Sequence, residues 1–459
     1  MQEISNTFLA KSEVKAQDLE HRRKINFNIG RYNDAFQKGK HQFTDLSTAR
    51  ERAKNVKWRA IENLDKYLEE FEANFSRRGG KVIWAEDADQ ALGEILKICQ
   101  AKKAKAVIKG KSMATEELHL NDFLAEHQIE SLESDLGEYI QQLDGEPPYH
   151  IVTPAMHKSK EDIARLFHEK LQVDAKLTPE QLTAVAREKL REKFRTADIG
   201  ITGANFILAD TGSIAITENE GNGRLTTTFP KTHIVIAGIE KVLPSVNDLA
   251  LFWPLLATFG TGQQVTVYNT ILSGPRQENE TDGPDEMYVI LLDNGRTNIL
   301  NDAAVRESLY CIRCGACLNA CPVYKNIGGH TYGTTYSGPI GAVITPHLRG
   351  MDEYKHLSYA SSLCGNCTEV CAVKINLHEL LLVNRHEAVD KNLGSGAEKM
   401  SWFLWKQASL SRRLMNMAKG STKNWVISKM FRKAWGDRRE LPEFAPKSFN
   451  QLWKERKGK

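Results

Sequence analysis

The spacing of the cysteines is the feature that most constrains what this chain can fold into. Seven of the eight cysteines lie between positions 311 and 371, and Cys99 stands alone. The densest part reads Cys311-Ile-Arg-Cys314-Gly-Ala-Cys317-Leu-Asn-Ala-Cys321-Pro322. Seven clustered thiols leave one unpaired in any scheme of disulfides, so the clustering indicates a metal site.

This first run has the spacing C-x2-C-x2-C-x3-C-P, which is typical of ferredoxin-type iron–sulfur sites. Three thiolates at two-residue gaps can each bind one corner of a cubane cluster. The fourth, turned away by Pro322, normally binds the neighbouring cluster. Zinc fits the run less well, because zinc sites use paired C-x2-C units that close one tetrahedron. The run therefore predicts iron–sulfur binding.

A second copy of the run follows at Ser361-Ser-Leu-Cys364-Gly-Asn-Cys367-Thr-Glu-Val-Cys371-Ala372. Ser361 takes the first cysteine position, and Ala372 takes the position of the proline. Two 4Fe-4S clusters are therefore expected. By the crossover rule, the ligands of the first cluster are Cys311, Cys314, Cys317 and Cys371, and those of the second are Cys321, Cys364 and Cys367.

The second predicted cluster lacks one cysteine ligand. Ser361, Cys99 or a partner protein could fill the vacancy, or nothing could, which would give a 3Fe-4S form. Cys99 is the weakest of these candidates, because it lies in a helix-like run, and a lone buried cysteine usually behaves as a small hydrophobic residue.

The surroundings of the predicted ligands are cationic and contain glycine. Arg313 and Lys374 lie beside cysteines, and Gly315 and Gly365 allow backbone N–H groups to approach sulfur. Both features stabilise a reduced cluster, which carries more negative charge. They favour a role in electron transfer.

A glycine-rich insertion separates the two runs, at 328–346. It either brings backbone against a cofactor or partner, or packs over the clusters and screens them from water. His330 within it and His347 directly after it are possible ligands, but a loop histidine is more often solvated or hydrogen-bonded.

At 459 residues, the chain has room for about three folding units. We expect a helical arm at 1–78, an α/β domain at 79–300, a helical ferredoxin-type domain at 301–390 and a tail at 391–459. Strand-like runs at 81–85, 106–111, 206–217, 232–239, 264–272 and 287–294 alternate with helix-like runs. This alternation favours a largely parallel, buried sheet.

Two short segments of the predicted α/β domain suggest a site for an anion. Gly110-Lys111-Ser112 lies where a strand-like run ends and a helix begins, and a lysine with exposed amides can receive phosphate or carboxylate. The second segment, 203–213, contains Asp210-Thr211-Gly212, which a hairpin turn explains as well. Neither segment is a complete phosphate-binding or dinucleotide-binding motif.

The tail differs in charge from the rest of the chain. Residues 391–459 hold 17 Lys and Arg against 5 Asp and Glu, and five of the eight tryptophans. The tail could lie on a membrane surface, dock on an acidic partner, or pack on the chain's own acidic body. No recognition motif accompanies the charge, so nucleic-acid binding is not expected.

The sequence contains no feature that predicts export or a membrane span. No uncharged apolar run approaches the ~20 residues that a span requires, and the first residues lack the apolar core of a secretion signal. A cytoplasmic location is expected, with peripheral contact at the inner face of the membrane if the tail binds lipid.

Longer stretches make the chain similar to a known family. They are KGKSMATEE at 109–117, ADIGITGANFILADTGSIAITENEGNGR at 197–224, CIRCGACLNACPVY at 311–324, GGHTYGTTYSGPIGAV at 328–343 and CGNCTEVC at 364–371. On these stretches the chain resembles the lactate utilisation protein B family, the iron–sulfur proteins of a three-protein bacterial L-lactate oxidation system.

This resemblance implies a LUD-type α/β domain, related to the sugar isomerase and CoA-transferase fold, followed by a helical module with two 4Fe-4S clusters. The seven motif cysteines match position for position, and the family likewise has three cysteines in its second motif. Ala372 departs from the usual proline. The implied role is electron transport during oxidation of L-lactate to pyruvate, with a cysteine-rich partner and a second LUD-domain partner.

Three functions follow from these observations. In the first, the chain is an electron-transfer subunit that is not catalytic alone. In the second, it is an oxidoreductase whose α/β domain binds a small carboxylic or phosphorylated substrate. In the third, it is a scaffold with structural clusters. Oxidation of a hydroxy acid needs a two-electron acceptor, and no flavin or nicotinamide motif is present. The first function is therefore favoured, with an electron acceptor that the sequence does not identify.

Overall fold

The structure, a computed structural model, describes residues 2–435 and 440–457. Contacts divide the chain into two compact units, Met1–Glu387 and Ala388–Lys459. The predicted α/β segment and the cysteine runs lie within the first unit, and most of the basic tail lies in the second.

Four helices lie before the first strand of the α/β domain. They are α1 Gln2–Gln17, α2 Leu19–Gly39, α3 Leu46–Glu62 and α4 Leu64–Arg77. Asp18 and Asp45 cap α2 and α3 by accepting hydrogen bonds from backbone N–H groups of the first turn. Ile25, Ile29 and Phe71 are fully buried in the same apolar core as the cysteine runs. These helices therefore form part of the core of the first unit.

Ten strands form two sheets in the described part of the chain. The strands are β1 Lys81–Ala85, β2 Ala106–Lys109, β3 Glu130–Glu133, β4 Ile199–Gly203, β5 Phe206–Leu208, β6 Ser213–Glu218, β7 Thr232–Gly238, β8 Val242–Leu243, β9 Tyr268–Leu272 and β10 Glu286–Leu292. The larger sheet has the order β1-β10-β7-β4-β2-β3, and all its pairs are parallel. Its central strand β7 is buried along its whole length.

The smaller sheet, of order β8-β5-β6-β9, corrects one detail of the prediction. The run at 206–217 is not one strand of the parallel sheet. It forms the antiparallel hairpin β5–β6, with Leu208 opposite Ser213. Gly212 adopts a φ of +56° in the connecting turn, which a residue with a side chain rarely adopts. Asp210-Thr211-Gly212 therefore forms the turn of this hairpin.

Helices cover both faces of the parallel sheet, as expected for parallel strands. The helices between the first strand and the cysteine runs are α5 Ala88–Ala101, α6 Met113–Glu117, α7 Leu120–Glu126, α8 Leu136–Asp144, α9 Lys160–Leu171, α10 Pro179–Thr196, α11 Asn222–Thr228, α12 Leu249–Thr261 and α13 Arg296–Asn301. Asp87 caps α5, because its side chain accepts a hydrogen bond from the backbone N–H of Gln90 in the first turn.

The cysteine-rich segment is helical. Its helices are α14 Ala316–Ala320, α15 Pro322–Ile327, α16 Gly338–Arg349, α17 Met351–Tyr359, α18 Asn366–Glu369 and α19 Leu377–Asp390. The fold is therefore the predicted one, an α/β domain with a parallel sheet followed by a helical ferredoxin-type domain.

The second unit consists of short helices with exposed apolar side chains. Its helices are α20 Gly396–Leu410, α21 Arg412–Asn416, α22 Gly420–Trp435 and α23 Phe449–Lys457. Trp402, Trp405 and Trp425 each expose about three fifths of their surface. Among the described residues, no helix combines the length and the apolar character needed to cross a membrane.

Candidate iron–sulfur centre and the adjoining cavity

Four of the seven clustered cysteines surround one small cavity. Cys311, Cys314, Cys317 and Cys371, here called the first thiol group, line it together. Apolar side chains close the remaining walls, namely Ile151, Ile312, Ile340, Val373, Ile375 and Leu377. Cys314, Cys317 and Cys371 are each less than a tenth exposed. These are the four cysteines that the crossover rule assigns to one cluster.

The other three cysteines of the runs, Cys321, Cys364 and Cys367, form a second thiol group. Burial raises the pKa of the Cys367 thiol to about 11, and the negative charge of Cys321 and then of Cys364 adds to the rise. Cys321 and Cys367 are buried, whereas Cys364 is exposed. The second thiol group therefore lies at the protein surface.

The two cysteine runs share an unusual backbone path, which explains how short loops turn several thiols inward. Arg313 and Gly315 have φ angles of +59° and +78°, and the matching Leu363 and Gly365 have +53° and +79°. Each pair flanks the residue at the second ligand position of its run, Cys314 in the first and Cys364 in the second. A leucine and an arginine rarely adopt a left-handed backbone, and such strain is concentrated at functional sites.

Backbone N–H groups point at the sulfur atoms, as a negatively charged sulfur requires. The N–H of Arg313 donates to Cys311 Sγ over 3.4 Å, that of Tyr324 to Cys321 Sγ over 3.5 Å and that of Ile375 to Cys371 Sγ over 3.3 Å. Cys321 is also the N-cap of α15, because its sulfur accepts a hydrogen bond from the backbone N–H of Tyr324 in the first turn.

The buried thiols Cys314 and Cys371 lie in a setting that disfavours their ionisation. Burial raises the pKa of Cys314 to about 12, with Cys371 adding to the rise, and burial raises that of Cys371 to about 11. Clustered thiolates become stable here only when a cation neutralises them, as metal binding does. The donor set, its N–H donors and its apolar walls fit an iron–sulfur cluster.

Several cations surround the first thiol group. Arg50 on α3 donates to the carbonyl oxygens of Cys371 and Glu369 over 2.9 and 2.7 Å. Lys57, also on α3, is buried and donates to the backbone oxygen of Glu240. Burial lowers the pKa of Lys57 to about 7, against the opposing charges of Glu240 and Cys311. A cluster with four thiolates carries net negative charge, which these cations offset.

The predicted cations near the ligands have different surroundings. The Arg313 side chain is only 9% exposed and lies 3.3 Å from the Glu240 carboxylate. Lys374 pairs with Glu51 over 2.9 Å near the surface. Arg313 is thus the buried charge of the two.

The candidates for the missing ligand also differ. Cys99 packs on α5 within the apolar core of the α/β domain, a core separate from the one that contains the motif cysteines. Burial raises the pKa of its thiol to about 11. Ser361 lies beside the second thiol group in sequence, where its Oγ accepts a hydrogen bond from the backbone N–H of Leu363 over 3.1 Å. Cys99 is therefore a core residue.

The histidines of the glycine-rich insertion are hydrogen-bonded. His330 Nε2 lies 2.7 Å from the carbonyl oxygen of Pro147, and His347 Nε2 lies 2.8 Å from Asn384 Oδ1. His330 also lies close to Glu146 and His157, a trio that sequence spacing does not suggest. Lys158 forms a salt bridge with Glu146 over 2.9 Å, so the carboxylate of this trio already has a cationic partner.

A cavity of about 460 Å³ lies beside the first thiol group, at the carboxyl ends of β2, β4 and β7. Its wall includes Gly110-Lys111-Ser112, one of the two segments in which the sequence suggested an anion site. Arg313 lines both this cavity and the smaller one around the thiols. In open parallel sheets, ligands bind at this edge.

Two known domain families match the chain. The LUD domain matches residues 68–292, and the 4Fe-4S dicluster domain matches residues 307–375. The fold and the thiol groups therefore define an iron–sulfur protein that joins a LUD domain to a dicluster domain.

Whole-chain relatives narrow this class further. A protein of Bacillus velezensis named Lactate utilization protein B is 50% identical over 343 residues, which is 74% of this chain and 72% of that one. The proteins of that name in Bacillus subtilis and Bacillus thuringiensis are 45% and 44% identical and cover 82% and 89% of this chain, and 82% and 88% of their own. The chain belongs to the lactate utilization protein B family.

A solved structure also resembles part of the chain. It is a DUF162 family protein from Deinococcus radiodurans, 15% identical, with a TM-score of 0.28, covering 50% of this chain and 98% of that one.

Sequence patterns did not identify the cavity or most of the cations. Arg50, Lys57 and Lys241 lie 70 or more residues before the first cysteine run, in segments without a motif. Within the α/β domain, Gly110-Lys111-Ser112 is the part of the cavity wall for which the sequence predicted an anion site.

Proposed function

We propose that the chain is the electron-transfer subunit of a system that oxidises L-lactate to pyruvate. Electrons would pass through two iron–sulfur clusters, the first bound by Cys311, Cys314, Cys317 and Cys371 and the second by Cys321, Cys364 and Cys367. Relatives named for lactate utilization and the match to a dicluster domain support this proposal.

The observation that carries the proposal is the difference in burial between the two thiol groups. In the first, beside the cavity of the α/β domain, Cys314, Cys317 and Cys371 are buried and Cys311 is partly buried, whereas the second contains the exposed Cys364. Clusters supply one-electron steps at potentials that burial, hydrogen bonds and nearby charge determine. With one inner and one outer cluster, electrons would pass from the cavity side to a partner at the surface.

The chain's own residues would hold and tune these sites. Backbone N–H groups stabilise the thiolates, and Arg50 and Arg313 stabilise added negative charge near the first group. Oxidation of L-lactate to pyruvate releases two electrons and two protons, and no flavin or nicotinamide motif is present to accept both. Partners are therefore part of the proposal: a cysteine-rich protein, a second LUD-domain protein and a separate electron acceptor.

Anaerobic purification, iron and sulfide analysis and electron paramagnetic resonance test the proposal. Two cubane clusters predict near eight irons per chain and a reduced signal that shows magnetic coupling. A sharp signal in the oxidised protein would indicate a 3Fe-4S centre at the three-cysteine site. The purified chain alone should not oxidise L-lactate with an artificial acceptor. Clusters that dithionite cannot reduce would contradict electron transfer and support the scaffold function.

A second candidate function, catalysis by the α/β domain itself, is favoured by the cavity at the strand ends. Robust turnover of L-lactate by the purified chain with an artificial acceptor would support it. The same assay therefore separates the two functions.

We propose a cytoplasmic location, with the tail as a contact to a partner or to the inner face of the membrane. The tail, which is strongly basic as a whole, exposes Trp402, Trp405 and Trp425, the composition of a segment that lies on a membrane surface. Salt-sensitive binding to anionic liposomes that disappears on truncation at Gly394 would support membrane contact. Unchanged binding after truncation would contradict it.

A further inference from the structure

The cavity beside the first thiol group has features of a ligand site that the proposed electron path does not use. Its volume of about 460 Å³ is within the range of small-molecule sites. It lies where three parallel strands end, and the buried apolar side chains Ile236 and Leu256 form part of its wall. Several polar groups converge on it, which is how such sites fix the orientation of a ligand.

The acidic side chains of the cavity are already bonded. Glu240 pairs with Arg296 over 2.6 Å, and Arg296 also pairs with Glu117 on the other side. Although burial opposes ionisation of Glu240, the cations Arg296 and Arg313 lower its pKa to about 2. Glu218 accepts hydrogen bonds from the first N–H groups of α11. These carboxylates therefore have their partners within the protein.

The acidic groups at the far end of the cavity are bonded in the same way. Asp135 accepts a hydrogen bond from the N–H of Glu138, and Glu220 accepts one from the N–H of Leu136. Lys111 lies 3.4 Å from Asp135 and donates to the carbonyl oxygen of Val152. This end therefore has one lysine against two carboxylates, which does not favour an anion.

The end near the thiols has cationic donors without partners. Lys241 lines the cavity just after β7, and its amine makes no hydrogen bond with any residue in the described ranges. Arg313 points there from the first cysteine run, and its Nη1 is buried without a hydrogen-bond acceptor among those residues. The rest of this guanidinium is fixed, since it lies over the Tyr336 ring at 4.5 Å and near Glu240.

The buried Nη1 donor of Arg313 is costly to leave without an acceptor, and the partly buried Lys241 adds a second positive charge near it. Burial lowers the pKa of Lys241 to about 8, with Glu240 opposing the change and Arg313 adding to it. A carboxylate has two oxygens and can accept from two donors at once. The site thus has the charge and the unpaired donors that suit a small carboxylate.

We propose that this cavity binds a small carboxylate, held by Lys241 and Arg313 directly beside the first thiol group. The choice of a 2-hydroxy acid or its 2-oxo acid product as the ligand rests on the proposed function. Binding itself needs no electron transfer. The site would bring the reacting molecule, or a regulatory acid of the same chemistry, next to the inner cluster.

The experiment measures binding to the anaerobically purified full chain. L-lactate, pyruvate, acetate and inorganic phosphate are titrated separately by calorimetry, and the paramagnetic spectrum of the reduced protein is recorded with and without each probe. We expect L-lactate or pyruvate to bind and to change the signal of one cluster. No binding of either acid up to about 10 mM, or binding of phosphate alone, would overturn the proposal.

Variants of Lys241 identify the anchoring group. In Lys241→Met the affinity should fall by about 10- to 100-fold, because a hydrogen bond to a charged group is lost. Lys241→Arg should retain affinity within a few-fold, since it keeps the charge. Lys231→Met removes an exposed lysine of the same domain and should leave affinity unchanged. If Lys241→Met changed only the reduction potential of the cluster, the lysine would serve charge balance and the proposal would be wrong.

The outcome is separable from that of the proposed function. Redox-active clusters without binding of either acid would contradict only this inference. Binding of L-lactate to a chain whose clusters cannot be reduced would contradict only electron transfer. The wild-type titrations keep the inference testable even if a Lys241 variant fails to fold.

Discussion

Charge balance around the first thiol group depends on individual side chains from distant parts of the chain. Arg50 approaches from α3, Lys57 from the same helix, and Arg313 from within the cysteine run. A buried negative centre is stable only when such cations or hydrogen-bond donors lie close to it. The same cations favour the reduced state, because reduction adds one negative charge.

Arg50→Gln should therefore lower the reduction potential of the cluster at the first thiol group. A unit charge at roughly 8 Å and an effective dielectric constant near 20 contributes about 2 kcal/mol, and screening leaves about half of this. For a one-electron couple, this corresponds to a fall of roughly 40–90 mV. Redox titration monitored by electron paramagnetic resonance measures the shift.

Arg50→Lys is the matched control for this prediction, because it keeps the positive charge and changes the shape. Its potential should stay close to the wild-type value. Equal shifts in both variants would mean that the hydrogen bonds to the carbonyl oxygens of Cys371 and Glu369 matter, and that the charge does not.

At this scale the sequence supplied the ligand candidates, which stay a prediction, and little of their environment. Cysteine spacing is local, so the two runs could be read directly. The residues that surround the thiols are not local: Lys57 lies more than 250 positions before Cys311. Of the two cations that the sequence singled out, Arg313 is buried near the thiols, whereas Lys374 forms an ion pair near the surface.

The central strand β7 shows how one element links the sheet to the cavity. Its residue His233 is fully buried, and its Nε2 lies 2.8 Å from Thr202 Oγ1 on β4. Thr202 lines the cavity. Burial lowers the pKa of His233 from 6.5 to about 3. The imidazole is therefore neutral in the folded protein at neutral pH.

His233 should make the folded protein less stable as the pH falls. Between its two pKa values the unfolded chain binds a proton that the folded chain does not, so stability rises with pH and is lost on acidification below about 6.5. From pH 7 to pH 5 the loss from this one group is about 2 kcal/mol. Denaturant unfolding at both pH values measures it.

His233→Gln supplies the comparison, because glutamine does not titrate and can still hydrogen-bond Thr202. The variant should lose about 2 kcal/mol less than the wild type over the same pH change, whatever its absolute stability. Identical pH dependence in the two proteins would contradict the buried, neutral state of His233.

The elements that could be predicted are those with long apolar runs. β7 and β10 follow from continuous apolar sequence, and α5 follows from its spacing and its Asp87 cap. β3 and β4 were missed, since the first contains two glutamates in four residues and the second contains two glycines. In such short strands, pairing with neighbours outweighs intrinsic preference.

The first unit as a whole places a ligand-sized cavity, an inner thiol group and an outer thiol group in one compact body. The cavity lies at the strand ends of the LUD domain, and Arg313 belongs to both the cavity and the inner thiol group. No single element contains this arrangement. The sequence predicted the two domains, but the junction between them depends on packing that brings α3 and the strand ends to the cysteine runs.

The pairing of the two cysteine runs is testable in the whole protein. Cys371 comes from the second run, yet it lies with Cys314 and Cys317 of the first. Cys371→Ser should therefore change the same paramagnetic signal as Cys314→Ser and leave the other signal intact. Cys321→Ser should change the signal that Cys367→Ser changes, because a thiolate from each run would complete the other run's cluster.

Cys99→Ser is the control, since Cys99 packs in the core of the α/β domain and should leave both signals and the iron content unchanged. If Cys371→Ser instead altered the signal that depends on Cys367, each run would serve its own cluster. The inner and outer thiol groups would then not be the units of ligation, and the proposed direction of electron flow would lose its structural basis.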